Sequence, residues 1–311
     1  MRLQAKARRW ARISWFLLFL SFLTMGCPQV PPPKDQVTDP AELLRAVKEA
    51  TGQIRDARLK EVRMDYFGEQ GRLSLRQTLL FQQPDRLRVQ TYVPGFEGTA
   101  GVLVCACGRF AYHDQREQVF YHGDATPENL GSVLTEGLRP LGLSCADLGA
   151  LLLGGAPHER LAAAGGTPTL AWDGDTGRYR WETLARAGKD QGARIELQVR
   201  HGDWRVAALR VVEPGGQLRY EYRAEDFEMI GGHAVPQERR FVVPATGDDL
   251  SLRAGETQVN PGLPEELFRL APPDGAPIRY IGAGEARAPS KDGDLCEGAK
   301  APSTNEAAPT P

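Results

Sequence analysis

Apolar and polar positions alternate with a period of two over much of the chain. Leu73 and Leu75 alternate with Arg72, Ser74 and Arg76, and Leu87, Val89 and Thr91 with Arg86, Arg88 and Gln90. In the second half Tyr179, Trp181 and Thr183 oppose Arg178, Arg180 and Glu182. Ile195, Leu197 and Val199 alternate with Arg194, Glu196, Gln198 and Arg200, and Leu218, Tyr220 and Tyr222 with Gln217, Arg219, Glu221 and Arg223. Successive strand side chains point to opposite faces, so each run predicts a strand with one apolar face. Turn-forming segments such as Gly68-Glu69-Gln70-Gly71, Gln83-Pro84-Asp85, Asp173-Gly174-Asp175 and Pro214-Gly215-Gly216 separate the runs. About eleven to thirteen antiparallel strands fit this spacing, and connections this short predict an up-and-down meander.

Helical spacing interrupts the alternation twice. Asp39-Pro40-Ala41-Glu42 offers an N-cap, a proline at the first helical position and a capping acid, and Leu43, Leu44, Val47, Ala50 and Ile54 then share a face. Midway, Thr126-Pro127-Glu128-Asn129 opens a helix with Leu130, Val133 and Leu134, and Ser144-Cys145-Ala146-Asp147 opens another with Leu148, Leu151, Leu152 and Leu153 before Gly154-Gly155. Two short, leucine-rich, charge-poor helices are unstable alone and must cover apolar surface. The concave face of a curved sheet is the large surface available to them. The fold class predicted is mainly β with α: a strongly curved antiparallel sheet under a short-helix lid. The pattern allows equally a cavity beneath the lid and a solid core.

The ends of the chain are of different composition. Arg2, Lys6, Arg8, Arg9 and Arg12 precede an uncharged stretch from Ile13 to Met25, followed by Gly26-Cys27. Thirteen residues reach roughly 20 Å as a helix, short of the roughly 30 Å hydrocarbon core of a bilayer. Residues 1–26 are therefore expected to be a signal peptide. Gly26-Cys27 resembles the bacterial lipobox, with Thr24 and Leu23 upstream, and implies cleavage before Cys27 and covalent diacylglycerol and N-acyl lipid on its thiol. Residues 27–38, with Pro31-Pro32-Pro33, read as a semi-rigid spacer. Residues 285–311, rich in Ala, Pro, Gly and Ser, read as a disordered tail. Residues 39–284 form the expected domain.

Charge and motifs narrow the function. Loss of five positive charges with the signal takes the formal charge from −2 to about −7, and no cluster of Lys and Arg stands against it, so no nucleic-acid partner is expected. Cys105, Cys107, Cys145 and Cys296 permit three pairings, and the sequence leaves them open. Cys105 and Cys107, two apart on an expected strand, face the same way, and Cys296 reads equally as a free thiol. Cys-x-Cys with His113 and His122 nearby lacks zinc-knuckle spacing, so no metal is expected. The chain contains no Gly-x-Ser-x-Gly, His-Glu-x-x-His, phosphate-binding glycine loop or Cys-x-x-Cys, and a non-enzymatic role is expected.

The stretch from Val62 to Leu153 resembles the LolA/LolB superfamily, particularly LolB-like outer-membrane lipoproteins. The resembling segments are Gln83-Pro84-Asp85-Arg86-Leu87-Arg88-Val89, Gly108-Arg109-Phe110-Ala111-Tyr112-His113-Asp114, Tyr121-His122-Gly123 and Ala125-Thr126-Pro127-Glu128-Asn129-Leu130. Leu263-Pro264-Glu265-Glu266-Leu267-Phe268-Arg269-Leu270 is similar to the family's closing segment, so the resemblance spans residues 40–280. It implies an incomplete antiparallel β-barrel around a short-helix lid, with an apolar cavity for acyl chains lined by Leu130, Val133, Leu134, Leu148, Leu151 and Leu152. It further implies a role in lipoprotein or lipid localisation at the periplasmic side of the outer membrane, with a periplasmic LolA-like carrier as partner. Pro28 after the cysteine agrees with outer-membrane sorting. The matching membrane-facing loop is residues 93–98, with Phe96 at its tip. A monomer is expected. An envelope sensor or assembly scaffold on the same fold is the alternative.

Overall fold

The alternating runs assemble into a single, strongly curved sheet that does not close. The computed structural model describes residues 29–69, 71–93, 95, 98–133, 142–282 and 290–297. Cys27, Phe96 and Leu134 lie outside these. The first half of the sheet comprises β1 (Asp56–Gly68), β2 (Gly71–Gln82), β3 (Arg86–Tyr92), β4 (Gly101–Ala106), β5 (Arg109–Asp114) and β6 (Val119–Asp124), each paired antiparallel with the next. The second half comprises β7 (Thr169–Asp173), β8 (Arg178–Leu184), β9 (Arg194–Arg200), β10 (Val206–Val212), β11 (Leu218–Ile230), β12 (His233–Val243) and β13 (Asp248–Arg253).

Among strands β1 to β13 the meander is as expected except at one place. After β6, which only one short strand separates from one edge of the sheet, the chain crosses and re-enters as β7 at the opposite edge, from which β7 to β13 run back to pair with β1. The segment making that crossing contains α2 (Pro127–Val133), α3 (Cys145–Leu152) and α4 (His158–Ala164). A connection between two edges of a curved sheet must pass over a face, which is why these helices lie across it. Among the described residues the sheet has fifteen strands, above the expected eleven to thirteen, because four-residue β14 (Glu256–Val259) and β15 (Ile278–Ile281) are too short to alternate visibly. β14 continues the pairing of β13 along β1, and β15 pairs parallel with β6.

Antiparallel pairing sorts the connections onto two rims. The C-terminal end of β1 lies beside the β1–β2 hairpin, the segment between β3 and β4, the β5–β6 turn and the β12–β13 turn; this is the upper rim. The β2–β3, β7–β8, β9–β10 and β11–β12 turns form the lower rim. Helix α1 (Pro40–Gly52) is capped as its sequence predicts, with Asp39 Oδ1 accepting from the Ala41 amide at 2.9 Å. It buries Leu43 and Val47 in the concave core, and Gln83 in the lower-rim turn donates to the Thr51 and Ile54 carbonyls at 3.1 and 2.8 Å.

Both sheet faces are covered around β4. Leu103 and Cys105 point into the concave core, whereas Val102, Val104 and Ala106 join a second cluster with Leu263, Phe268 and Leu295. Two segments thus depart from expectation. Of the stretch expected to be a disordered tail, residues 290–297 fold back on the convex face, where Leu295 is buried and Cys296 is bonded to Cys107. Cys107 and Cys105 do not share a face: Cys107 sits beyond the end of β4 with φ of 52°, which turns its side chain away from that of Cys105. At the other end of the chain, residues 29–37 lie against the lower rim, with the Val30 amide donating to the Gly174 carbonyl at 2.7 Å.

Candidate functional site

Inward-facing strand residues and the lid enclose a cavity of about 240 Å³. Met64 of β1, Leu75 and Leu79 of β2, Val89 of β3 and Leu103 of β4 form one wall, and Phe241, Leu250 and Leu252 another. These are the apolar members of alternating runs, so strand parity alone places them on one face. The cavity reaches the upper rim at Leu73, Val93, Ala100, Asp114 and Arg116. Its size lies just under the range of small-molecule pockets, roughly 300–1,000 Å³.

Val133, Leu148 and Leu152 of the lid line this cavity. Leu130 and Leu151 are buried in the surrounding core, 2% and 0% exposed, without bordering the space. Leu134 falls outside the described residues, as does Phe96; the segment that carries Phe96 leaves β3 through Val93 and returns through Ala100, both at the cavity mouth.

The lid is fastened along α3. At its N-terminus Ser144 Oγ accepts from the Asp147 amide at 3.1 Å, the cap anticipated from sequence, and Cys145 is bonded to Cys105 on β4. At its C-terminus the Gly154 amide bonds to the Leu151 carbonyl at 3.0 Å and the Gly155 amide to the Ala150 carbonyl at 2.7 Å, with Gly154 at φ of 75°. This paired pattern needs a residue in the left-handed region, which glycine supplies without strain. The same end meets two buried side chains of the sheet. Tyr222 Oη donates to the Leu151 carbonyl at 2.5 Å and Arg239 Nε to the Leu152 carbonyl at 2.9 Å. Terminal carbonyls lack partners within their own helix, and a cation at a helix C-terminus is favoured by the dipole. Burial brings the Arg239 guanidinium down to about 10, partly offset by Tyr222, and pushes the Tyr222 phenol up.

A polar knot ties α3 to α4. Both carboxylate oxygens of Asp147 accept backbone amides, from Glu159 and Arg160, each at 3.1 Å. Arg160 Nη2 in turn meets Asp190 Oδ1 at 2.7 Å, and Arg219 Nη1 reaches the same oxygen at 2.6 Å. Asp147 is 3% exposed, and burial with the neighbouring Glu159 raises its carboxyl to about 6, against the two amides and Arg160.

Arg239 and the cysteine pairings were not anticipated from sequence. Arg239 has the same parity on β12 as Val235, Phe241 and Val243, so a charged residue at an inward position was the available signal. Nothing in the sequence indicated that Cys105 would meet Cys145, because the approach is made by the crossing segment.

Comparison with known proteins agrees at the level of the fold. No protein-family model matches the chain, and no curated protein matches it by sequence. Among solved structures, a domain described as an outer membrane lipoprotein-sorting protein from Vibrio parahaemolyticus is similar, with a TM-score of 0.54 and 11% identity over 74% of this chain and 97% of that one. A DUF1329 family protein from Desulfovibrio piger gives a TM-score of 0.54 and 13% identity over 74% of this chain and 98% of the other. A LolA superfamily protein from Nitrosomonas europaea gives 0.52 and 13%, over 76% and 99%. The chain therefore has the fold of LolA superfamily structures, an incomplete barrel with short helices in its concavity.

Proposed function

We propose that this chain is a lipid-anchored envelope protein that binds acyl chains in the cavity beneath α3 and acts in lipoprotein or lipid localisation at the outer membrane. The observation supporting this reading is the apolar cavity that Val133, Leu148 and Leu152 cover and that reaches the upper rim. An unbranched apolar chain needs neither charge nor hydrogen bonds from its site, and dispersion and water exclusion suffice to hold it. A space of about 240 Å³ takes the end of such a chain. The reading is non-catalytic. Attachment is assigned to lipid on Cys27; among the described residues no helix is long and apolar enough to cross a membrane. A LolA-like carrier is proposed as the donor, and Phe96 as an apolar contact with that carrier at the mouth, in place of the membrane-facing role that the resemblance implies.

The test is lipid capture. Protein lacking residues 1–27 is expected to co-purify with acyl lipids detectable by mass spectrometry and to take up an apolar fluorescent probe that long-chain fatty acid displaces. Absence of both would remove the carrier reading. Depletion of the protein in cells should mislocalise outer-membrane lipoproteins; unchanged localisation with altered stress signalling would mark a sensor instead. Phe96→Glu should slow lipid transfer while leaving the far-ultraviolet spectrum intact.

A further inference from the structure

The N-terminal spacer is not a free tether. Its residues 29–37 are held by polar contacts at the lower rim beside an aromatic cluster of Trp172, Tyr179, His201 and Trp204, which come together from the ends of β7, β8 and β9 and the turn before β10. Ring centroids are 5.1 Å apart for Trp172 and Tyr179 and 5.9 Å for Tyr179 and Trp204. Polar contacts fix the register along the whole segment. Gln29 Nε2 donates to Asp175 Oδ1 at 3.3 Å, and Trp172 Nε1 to the Val30 carbonyl at 2.9 Å. Asp35 Oδ1 lies 3.2 Å from His201 Nε2, and the Val37 amide donates to Tyr179 Oη at 3.1 Å. Pro31, Pro32 and Pro33 between these contacts already have restricted φ, so the segment loses little freedom on docking.

Docking of this segment decides the position of the anchor. Cys27 precedes Gln29 by two residues, a reach of at most about 7 Å. The cavity mouth lies at the other rim. It is bordered by Leu73 at the start of β2 and by Val93 and Ala100 between β3 and β4, while α1 and the β2–β3 turn occupy the lower end. Thirteen-residue β1 runs from one rim to the other, which separates them by roughly 30 Å for a tilted strand.

We propose that residues 29–37 form an orienting strap that holds the domain on its anchored cysteine with the cavity mouth turned away from the bilayer that carries the anchor. Lipid then enters from the aqueous side, delivered by a soluble partner, and not directly from the underlying leaflet. This rests on the reading of Cys27 as lipidated, and the experiment separates the two.

Phe67 and Met229 are exposed at the tips of upper-rim and lower-rim hairpins, 63% and 69%, so each accepts a label without disturbing the core. Full-length lipidated F67C and M229C, labelled with a donor fluorophore, are reconstituted on phosphatidylethanolamine–phosphatidylglycerol vesicles containing an acceptor lipid. Energy transfer is expected to be at least about threefold more efficient from position 229, given a separation of roughly 30 Å; equal or reversed efficiencies would overturn the orientation. Replacing residues 29–37 by a Gly-Ser segment of equal length should abolish the difference, and its persistence would overturn the strap. Failure of the chain to float with vesicles, with unmodified Cys27 by mass spectrometry, defeats the anchor reading itself and the orientation with it.

Discussion

Arg239 donates from Nε to the carbonyl oxygen of Leu152 at 2.9 Å, joining a fully buried cation on β12 to the last residue of α3. Its Nη1 also donates to the Gln237 carbonyl at 3.2 Å. Arg239→Met keeps much of the volume but leaves both carbonyls without this donor. Each buried unsatisfied group costs about 1–3 kcal/mol, offset in part by relief of guanidinium desolvation. We expect a net loss of about 1–3 kcal/mol in urea unfolding, with faster amide exchange confined to α3 and Gly154-Gly155. Unchanged exchange there would show that the contact does not hold the lid.

The Cys105–Cys145 bond joins strand to lid across 40 residues of chain, whereas Cys107–Cys296 fastens a segment on the other face. The double variant Cys105→Ala with Cys145→Ala should lose about 2–4 kcal/mol of stability and release a bound apolar probe faster. Cys107→Ser with Cys296→Ser should free residues 290–297 to protease and leave probe release unchanged. Stopped-flow fluorescence distinguishes the two pairs.

Asp147 makes stability depend on pH in a direction opposite to that of an ordinary salt-bridged carboxylate. Its carboxyl is raised from 3.8 to about 6 in the folded chain. Between these values the folded state binds more protons than the unfolded state, so this group's contribution falls as pH rises from about 4 to about 6 and is constant above. Two pH units correspond to at most about 3 kcal/mol. Asp147→Asn should flatten that part of the stability profile, read as the difference between wild-type and variant denaturation midpoints from pH 4 to pH 7.

Leu148 points from α3 into the cavity. Leu148→Trp adds bulk where space exists, so stability should change by no more than about 1–2 kcal/mol. Probe affinity should fall at least about tenfold, equivalent to about 1.4 kcal/mol. Binding unchanged in a folded Leu148→Trp variant would place the ligand elsewhere.

Gly149 shows how closely the lid packs. A Cβ added there would lie 2.3 Å from the Phe81 ring on β2. Gly149→Ala gains about 1 kcal/mol of helix propensity but forces the buried ring aside, at about 1–3 kcal/mol. We expect thermal unfolding at a lower temperature than wild type, and restoration in the Gly149→Ala, Phe81→Leu pair.

Much of the fold was legible locally because its signals are local. Tyr220 and Tyr222 alternate with Arg219 and Glu221 whatever the strands pair with, and Ser144 caps α3 through an amide three residues away. The lid leucines were legible as a set, since charge-poor short helices need cover. Which of them border a void was not: Leu148 and Leu152 do, Leu151 does not, and that depends on a rotation of α3 that Cys145, Tyr222 and Arg239 impose.

The sequence by itself determined strand parity, helix caps and the apolar lid, because these depend on neighbours within a few residues. The tertiary structure alone decided the cysteine pairs, the seating of Arg239 under α3, and the docking of residues 29–37 at Trp172, Tyr179 and His201. Each of these contacts joins segments distant in sequence, brought together by the crossing from β6 to β7, by the curvature of the sheet or by a terminal segment folding back on it. No local pattern records where a distant surface will lie, and residues that bind such surfaces look, along the chain, like spacer, strand or tail.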